Sequence, residues 1–306
     1  MVNILSSHPY DYLKRYLLKS EHFDNIDIES KTFPDGEHYY RIIHPEKISG
    51  KSAVYICGTT DDVAILEAYN VACTLVQEGC QSLHLVIPYF GYSTMERAVN
   101  SGESVSAKNI ARLFSSIPIS AIGNYIYLVD LHSFGVQYYF EQNIHPMHLT
   151  TDPIIDKMIN DIRKNKKNVV LASADMGRAK WIEKISGRLN MNSAFIMKKR
   201  VSGVETEVLA LNANVKNKDV ILFDDMIRSG SSIIHAAEAY KSIGAKNIYV
   251  VCVHGVFVDD SIEKIKESGV IKAVYCTNTH PKAQNIQDDF VKVYDMSDVI
   301  LEGLKV

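Results

Sequence analysis

The sequence predicts an α/β protein of two stacked domains, each a mostly parallel sheet flanked by helices. Three observations predict it. Short apolar runs alternate with longer segments whose apolar residues recur at helical spacing, the pattern of βαβ units. The alternation starts afresh after about residue 148. A chain of 306 residues is also long for one compact domain and comfortable for two of about 150. The expected division is 1–148 and 149–306.

Taken in order, Ala53–Cys57 is a short apolar strand, Asp62–Gln77 an amphipathic helix and Ser82–Ile87 a second strand. Ser106–Phe114 reads as helix and Tyr125–Val129 as strand. After Pro153 a helix runs to about Arg163, followed by strand Asn168–Ser173, helix Ala179–Leu189 and strands Ser193–Met197 and Val208–Leu211. The strand at 220–223 and its helix come next, then strand Ile248–Val253, a helix near Ser261–Glu267 and strand Ala273–Thr277. Val291–Tyr294 and a short helix finish the chain.

Composition narrows the function. Apolar content of 46% and charged content of 23% are those of a soluble globular protein. A net charge of −3 and a pI near 6.4 carry no footprint for nucleic acid or an anionic membrane. No apolar run reaches the ~18 residues of a membrane span. The start lacks a basic segment followed by an apolar core, so no secretory signal is expected. Cys57, Cys73, Cys80, Cys252 and Cys276 form no CxxC pair and lie in or beside apolar patterns. They read as buried reduced thiols of a cytoplasmic protein.

The segment DVILFDDMIRSGSSIIH (219–235) is the most informative. An apolar strand runs to Phe223 and stops at Asp224 and Asp225; then come Arg228, Ser229-Gly230-Ser231-Ser232 and a helical pattern. Small residues at a strand-to-helix turn free backbone N–H groups to converge on an anion, and the helix dipole favours negative charge there. The two acids can accept from vicinal hydroxyls or hold a hydrated cation. A sugar phosphate fits both halves. The same segment also fits a plain strand ending in solvated acids, with a serine capping the helix.

Other segments weigh in. Phe33-Pro34-Asp35-Gly36-Glu37 is a turn with two exposed acids beside a ring, able to stack on a base. Pro88-Tyr89-Phe90-Gly91-Tyr92 places aromatic residues at a strand's carboxyl end, to line a base pocket or to fill a gap between domains. His132, in Asp130-Leu131-His132-Ser133, and Asp175, in Ser173-Ala174-Asp175-Met176-Gly177, each follow a strand. Magnesium takes one or two protein ligands and fills its shell with water and phosphate oxygens, so these two can flank one nucleotide-bound ion. The turn through Gly177, with Arg178 and Lys180, can hold a diphosphate. Lys198-Lys199-Arg200 ends a strand and enters a loop, where mobile cations suit phosphoryl transfer.

In order, the pieces FPDGE, PYFGY followed by SAK, DLHS, SADMGRAK, KKR, DD…SGSS, VHGVF (253–257) and CTNTHP (276–281) resemble the ribose-phosphate diphosphokinases, along nearly the whole chain. The resemblance implies two phosphoribosyltransferase-like domains, the first on the ATP side and the second on the ribose phosphate side. It implies ATP contacts at Phe33, Asp35, Glu37 and Arg97, and Mg2+ at His132 and Asp175. Lys198 and Arg200 would be catalytic, closing over the transferred diphosphate. Asp224 and Asp225 would hold the ribose hydroxyls, while Arg228, Ser229, Gly230, Ser231 and Ser232 would cradle the group on C5. The implied reaction is attack of the ribose C1 hydroxyl on the β-phosphorus of ATP, releasing AMP. Homo-oligomers with active sites at subunit contacts are implied too.

Two departures matter. The family's usual Arg-Gln after the PYF segment is Thr94-Met95, and its usual acid ahead of the phosphate loop is Arg228. Thr94-Met95-Glu96-Arg97 and Gly102-Glu103 are closer to the second-class or phage-associated branch, so phosphate regulation of the first-class kind is not expected. An added cation beside the C5 pocket also suits ADP-ribose as the acceptor, in a route that rebuilds NAD. A third reading is a non-catalytic synthetase-associated subunit, against which the intact acids and cations stand.

Overall fold

Runs such as Ala53-Val54-Tyr55-Ile56 carry no charged side chain on either face, so they are stable only inside a sheet covered on both sides. Sheets of that kind form both halves of the computed structural model, which describes residues 1–141, 143–174, 176–200, 206–211 and 214–306. The chain divides into two units, Met1–Thr150 with Ser297–Val306, and Thr151–Met296.

In the first unit β1 (Val2–Ser6), α1 (Asp11–Leu17) and β2 (Phe23–Asn25) precede a hairpin of β3 (Ile28–Thr32) and β4 (His38–Ile42). Then follow β5 (Ala53–Ile56), α2 (Asp62–Gln77), β6 (Ser82–Ile87), α3 (Ser106–Ser115), β7 (Gly123–Val129) and β8 (Ile144–Leu149). Six strands pair in the order β2-β1-β5-β6-β7-β8, all parallel. Chain direction across the sheet reverses between β1 and β5. Asp61 starts α2 by accepting the Ala64 N–H at 2.9 Å. Tyr55, Leu85, Leu75 and Phe114 are fully buried in the core between sheet and helices.

The sequence reading placed α2 and β6 at these bounds and missed β1, α1, the hairpin and β8. Each omission has a physical reason. β1 carries Asn3, which is buried because its amide donates to the Lys47 carbonyl at 2.9 Å. The hairpin is largely exposed and so shows no apolar alternation. β8 contains Pro146, which a sheet tolerates because β8 is an edge strand.

The second unit contains α4 (Asp152–Arg163), β9 (Val169–Ser173), α5 (Ala179–Leu189), β10 (Asn192–Arg200), β11 (Thr206–Leu211) and β12 (Asp219–Ile227). It continues with α6 (Ser231–Ser242), β13 (Asn247–Gly255), α7 (Ser261–Glu267), β14 (Ala273–Thr277), α8 (Pro281–Gln284) and β15 (Val291–Tyr294). The strand order is β11-β10-β9-β12-β13-β14-β15, parallel except for the β10–β11 pair. Successive strand residues face opposite sides. Val220 and Leu222 pack with Ile233 and Ala237 of α6, whereas Ile221 and Phe223 pack with Ile159 of α4 and Ile182 of α5. Four of the five cysteines are buried, Cys73 is half-buried, and all are free thiols.

A last helix, α9 (Ser297–Gly303), falls in a segment the sequence reading grouped with residues 149–296. It packs with the first unit: Tyr16 Oη donates to Asp298 at 2.6 Å, and the Lys305 N–H donates to Tyr127 Oη at 3.2 Å.

Candidate active site

In the second unit α5 carries the chain from β9 outward to β10, while α6 carries it from β12 the other way to β13. The reversal opens a crevice beyond the carboxyl ends of β9 and β12, the usual ligand position of a doubly wound sheet. Ser173, Ala174, Gly177, Arg178 and residues 224–232 border it.

The acid pair does not end its strand, as the sequence reading expected. β9 pairs β12 only as far as Phe223, opposite Ser173, while β13 continues alongside to Ile227, opposite Gly255. Asp224 and Asp225 therefore stand where β12 loses one neighbour and keeps the other. Asp224 keeps some accessible surface there, while Asp225 is buried. Asp225 is 1% exposed, and its N–H donates to Asp224 Oδ1 at 2.9 Å.

Two adjacent buried carboxylates need a cation, and Arg178 supplies it. Its Nη2 lies 2.6 Å from Asp225 Oδ1 and its Nε 3.7 Å from Asp224 Oδ1, with the guanidinium itself buried. The sequence reading assigned Arg178 to a diphosphate; the structure commits it to the acids instead. Burial raises the Asp224 carboxyl well above the usual carboxylate range, the Asp225 charge adds to the rise, and Arg178 opposes it. Asp224 retains more accessible surface than Asp225, so an incoming hydroxyl reaches Asp224 first.

Beyond the acids, Gly230 is the N-cap of α6 at φ 79°, and no side chain caps the helix. A Cβ there would stand 2.6 Å from Ile265 Cγ1, so glycine is required by conformation and by space. The first-turn N–H groups are thereby left to an anion. Ser229 and Ser231 hydroxyls lie 3.3 Å apart, and Arg228, Ser229, Ser231 and Ser232 are all exposed.

The VHGVF and CTNTHP segments serve as the frame of this loop, a role the sequence did not disclose. N–H groups of Val256 and Phe257 both donate to the Ile227 carbonyl at 3.0 Å, and that of Val258 donates to Arg228 O at 3.2 Å. Gly255 is needed there because a Cβ would stand 2.4 Å from the Phe257 ring. His254 Nδ1 lies 2.9 Å from Thr279 Oγ1, and Thr277 Oγ1 donates to Val253 O at 2.8 Å. Burial pushes His280 down to about 4, so it is neutral and accepts the Lys282 N–H.

Of the predicted cations, Lys198 and Arg200 fall within the last three residues of strand β10, their backbones opposite Val208 and Thr206 of β11. The loop at 201–204 and Asp175 lie outside the described residues.

In the first unit, Phe33, Asp35 and Glu37 come together at the exposed tip of the β3–β4 hairpin. The turn closes through Phe33 N–H to Glu37 O at 2.8 Å and Glu37 N–H to Asp35 Oδ1 at 3.1 Å. Gly36 takes the positive φ the turn requires. Phe33 is 42% exposed. Arg97 stands on a separate exposed segment with Nε 3.6 Å from Glu96. His132, half-buried, follows β7 just after Asp130, whose backbone is held at φ 32°.

Tyr89 and Phe90 follow the carboxyl end of β6. They are buried in the first unit, where Phe90 meets Phe140 edge-on at 6.1 Å.

Comparison with known proteins places residues 2–117 in the family "N-terminal domain of ribose phosphate pyrophosphokinase" and 189–306 in "Phosphoribosyl synthetase-associated domain". The chain is 32% identical over 281 residues to the ribose-phosphate pyrophosphokinase of Caldanaerobacter subterraneus subsp. tengcongensis, covering 91% of this chain and 85% of that one. The Campylobacter jejuni protein of that name is 30% identical over 285 residues, with 91% and 87% covered. The fold matches the crystal structure of phosphoribosylpyrophosphate synthetase from Mycobacterium smegmatis with a TM-score of 0.86, at 22% identity over 99% of this chain and 97% of that one.

Proposed function

The chain belongs to the ribose-phosphate pyrophosphokinase family, and on that premise we propose that it transfers the β,γ-diphosphate of ATP to the C1 hydroxyl of ribose 5-phosphate. The observation that carries the reading is the Asp224–Asp225 pair standing directly ahead of an uncapped, glycine-entered helix at the crevice of the second sheet. Vicinal hydroxyls bind the first and a phosphate the second. The C1 oxygen attacks the β-phosphorus, and the bond from that phosphorus to the α,β-bridging oxygen breaks. The oxygen leaves with AMP, and the hydroxyl proton is released.

In this reading Asp224 and Asp225 hold the ribose, while Ser229–Ser232 with Arg228 cradle the C5 group. Lys198 and Arg200 neutralise the migrating diphosphate. Phe33 stacks on adenine, Asp35 and Glu37 accept from it or its ribose, and Arg97 meets the ATP phosphates.

Among the described residues no three or more His, Cys, Asp or Glu side chains gather to hold a metal. Magnesium needs fewer, since phosphate oxygens and water complete its shell. His132 and Asp175 are the protein ligands we assign to an ion arriving on ATP, where it supplies charge neutralisation.

The test is direct: incubate the protein with Mg-ATP and either ribose 5-phosphate or ADP-ribose, and separate the nucleotides. AMP formed in step with ribose 5-phosphate consumption is the expected result. ADP accumulating in its place rules the mechanism out. AMP with neither acceptor, under conditions where a related synthetase turns over, favours the non-catalytic reading, which the match of 189–306 to a synthetase-associated domain keeps open.

The second-class or phage-associated branch rests on Thr94-Met95-Glu96-Arg97, Gly102-Glu103 and the absence of an acid at Arg228, and ADP-ribose rests on Arg228, exposed beside the 229–232 loop. Should ADP-ribose be used, Arg228→Asp will shift the ratio of kcat/KM values toward ribose 5-phosphate by about 10–100-fold, as for a lost charge-assisted hydrogen bond. An unchanged ratio leaves Arg228 outside the acceptor site. We also infer a homo-oligomer from the family resemblance, to be checked by light scattering.

A further inference from the structure

At the amino ends of β9 and β10, the α4–β9 and α5–β10 connections border an open cavity of about 440 Å³. Its charged lining is entirely cationic: Arg163, Lys164, Lys166 and Lys167. Asn160, Asn190 and Asn192 add side-chain amides, and the only apolar lining comes from Val169 and Met191.

Cations on neighbouring surfaces find carboxylates. Lys184 and Arg188 pair with Asp152, Arg188 also with Asp156, and Lys266 pairs with Asp288. Around this cavity the cations meet other partners. Arg163 Nη1 donates to the Leu189 carbonyl at 3.1 Å. Lys166 Nζ donates to the Ile162 carbonyl and lies 4.8 Å over the Tyr249 ring. Lys164 and Lys167 are exposed and pair with no carboxylate among the described residues. Asp219, which opens β12 opposite Val169, accepts from Asn247 at 2.7 Å.

Four like charges around one concavity repel one another, and a multiply charged anion relieves that repulsion. Two of the four are anchored by backbone carbonyls, so less side-chain entropy is lost when they meet a ligand. The asparagine amides add neutral donors. With no aromatic ring in the lining, nothing is available to stack on a base. We propose that this cavity binds a condensed phosphate, a short polyphosphate chain, by charge and amide donors alone. The site is distinct from the carboxylate crevice, since the five residues of β9 hold its amino and carboxyl ends about 15 Å apart.

The test uses the full chain and sodium tripolyphosphate, with lysine acetylation read by mass spectrometry. At saturation, labelling of Lys164 and Lys167 should slow about 10-fold, while the exposed Lys31 and Lys292 should be unaffected. Calorimetry on Lys164→Ala/Lys167→Ala should show about 10-fold weaker binding, the combined value of two surface charge contacts. ATP should compete no better than tripolyphosphate. Equal slowing at every exposed lysine overturns the proposal. So does binding that leaves Lys164 and Lys167 fully reactive, a result that would put the anion at the phosphate loop.

Discussion

Removing the guanidinium of Arg178 should destabilise the second unit far more than an ordinary ion-pair deletion. In Arg178→Ala, Asp225 stays buried with its 2.6 Å partner gone, and the Asp224 carboxyl, already raised by burial, loses the cation that opposes that rise. The partner side chains are 10% and 2% exposed, so solvent does little to replace the lost interaction. Breaking a buried pair from one side costs about 3–5 kcal/mol. For a unit near 150 residues that corresponds to a fall of about 6–20 °C in the unfolding midpoint. Trp181, the only tryptophan, sits on α5 and stacks on Phe223 of β12 at 5.7 Å, so its fluorescence reports this unit specifically. Asp225→Asn in the Arg178→Ala background should recover part of the loss, because the orphaned charge is then removed. A Trp181 midpoint within about 2 °C of wild type, or additive single and double variants in a thermodynamic cycle, would refute the reasoning.

Other outcomes follow from the same geometry. Lys198→Ala and Arg200→Ala should each lower kcat by about 10²–10⁴-fold with little change in KM, measured by steady-state AMP release; near wild-type turnover in either removes it from the reaction. Gly230→Ala should raise KM for the phosphate substrate and cost about 1–3 kcal/mol by the Trp181 midpoint, since the new Cβ meets Ile265 at positive φ. Asp224 is pushed up to about 8, so its contribution to stability is fully present below the unfolded carboxylate value near 3.9 and is lost as pH rises to about 8. The stability of Asp224→Asn relative to wild type should therefore improve steadily from pH 4 to 8; parallel pH profiles for the two proteins would contradict the raised carboxyl.

The strand and helix pattern of the second unit was legible because its strands are continuous apolar runs and its helices carry regular apolar stripes. There α5, β14 and β15 lie where the pattern puts them, as do α2 and β6 in the first unit. The polar hairpin β3–β4 was not legible, since two exposed strands paired with each other bury too little to impose a period. Local chemistry was readable in the same way. The turn at Phe33–Glu37 and the small-residue entry to α6 are set by residues a few positions apart, so spacing alone identifies them.

Arg178 lies 46 positions before Asp224, and no local pattern links them. They meet because β9 and β12 become neighbours at the point where the sheet reverses direction, although two strands intervene in the chain. Pairing of β13 with β14 likewise brings His254 to Thr279, and pairing of β12 with β13 carries β12 past Phe223 with Asp224 still in register. Residue types and spacing dictate which segments are strands, helices and small-residue turns, because those preferences are short-ranged. Strand order, the counter-ion of the acid pair and the support of the 228–232 loop depend on burial shared between distant segments, and they exist only once the sheet is assembled.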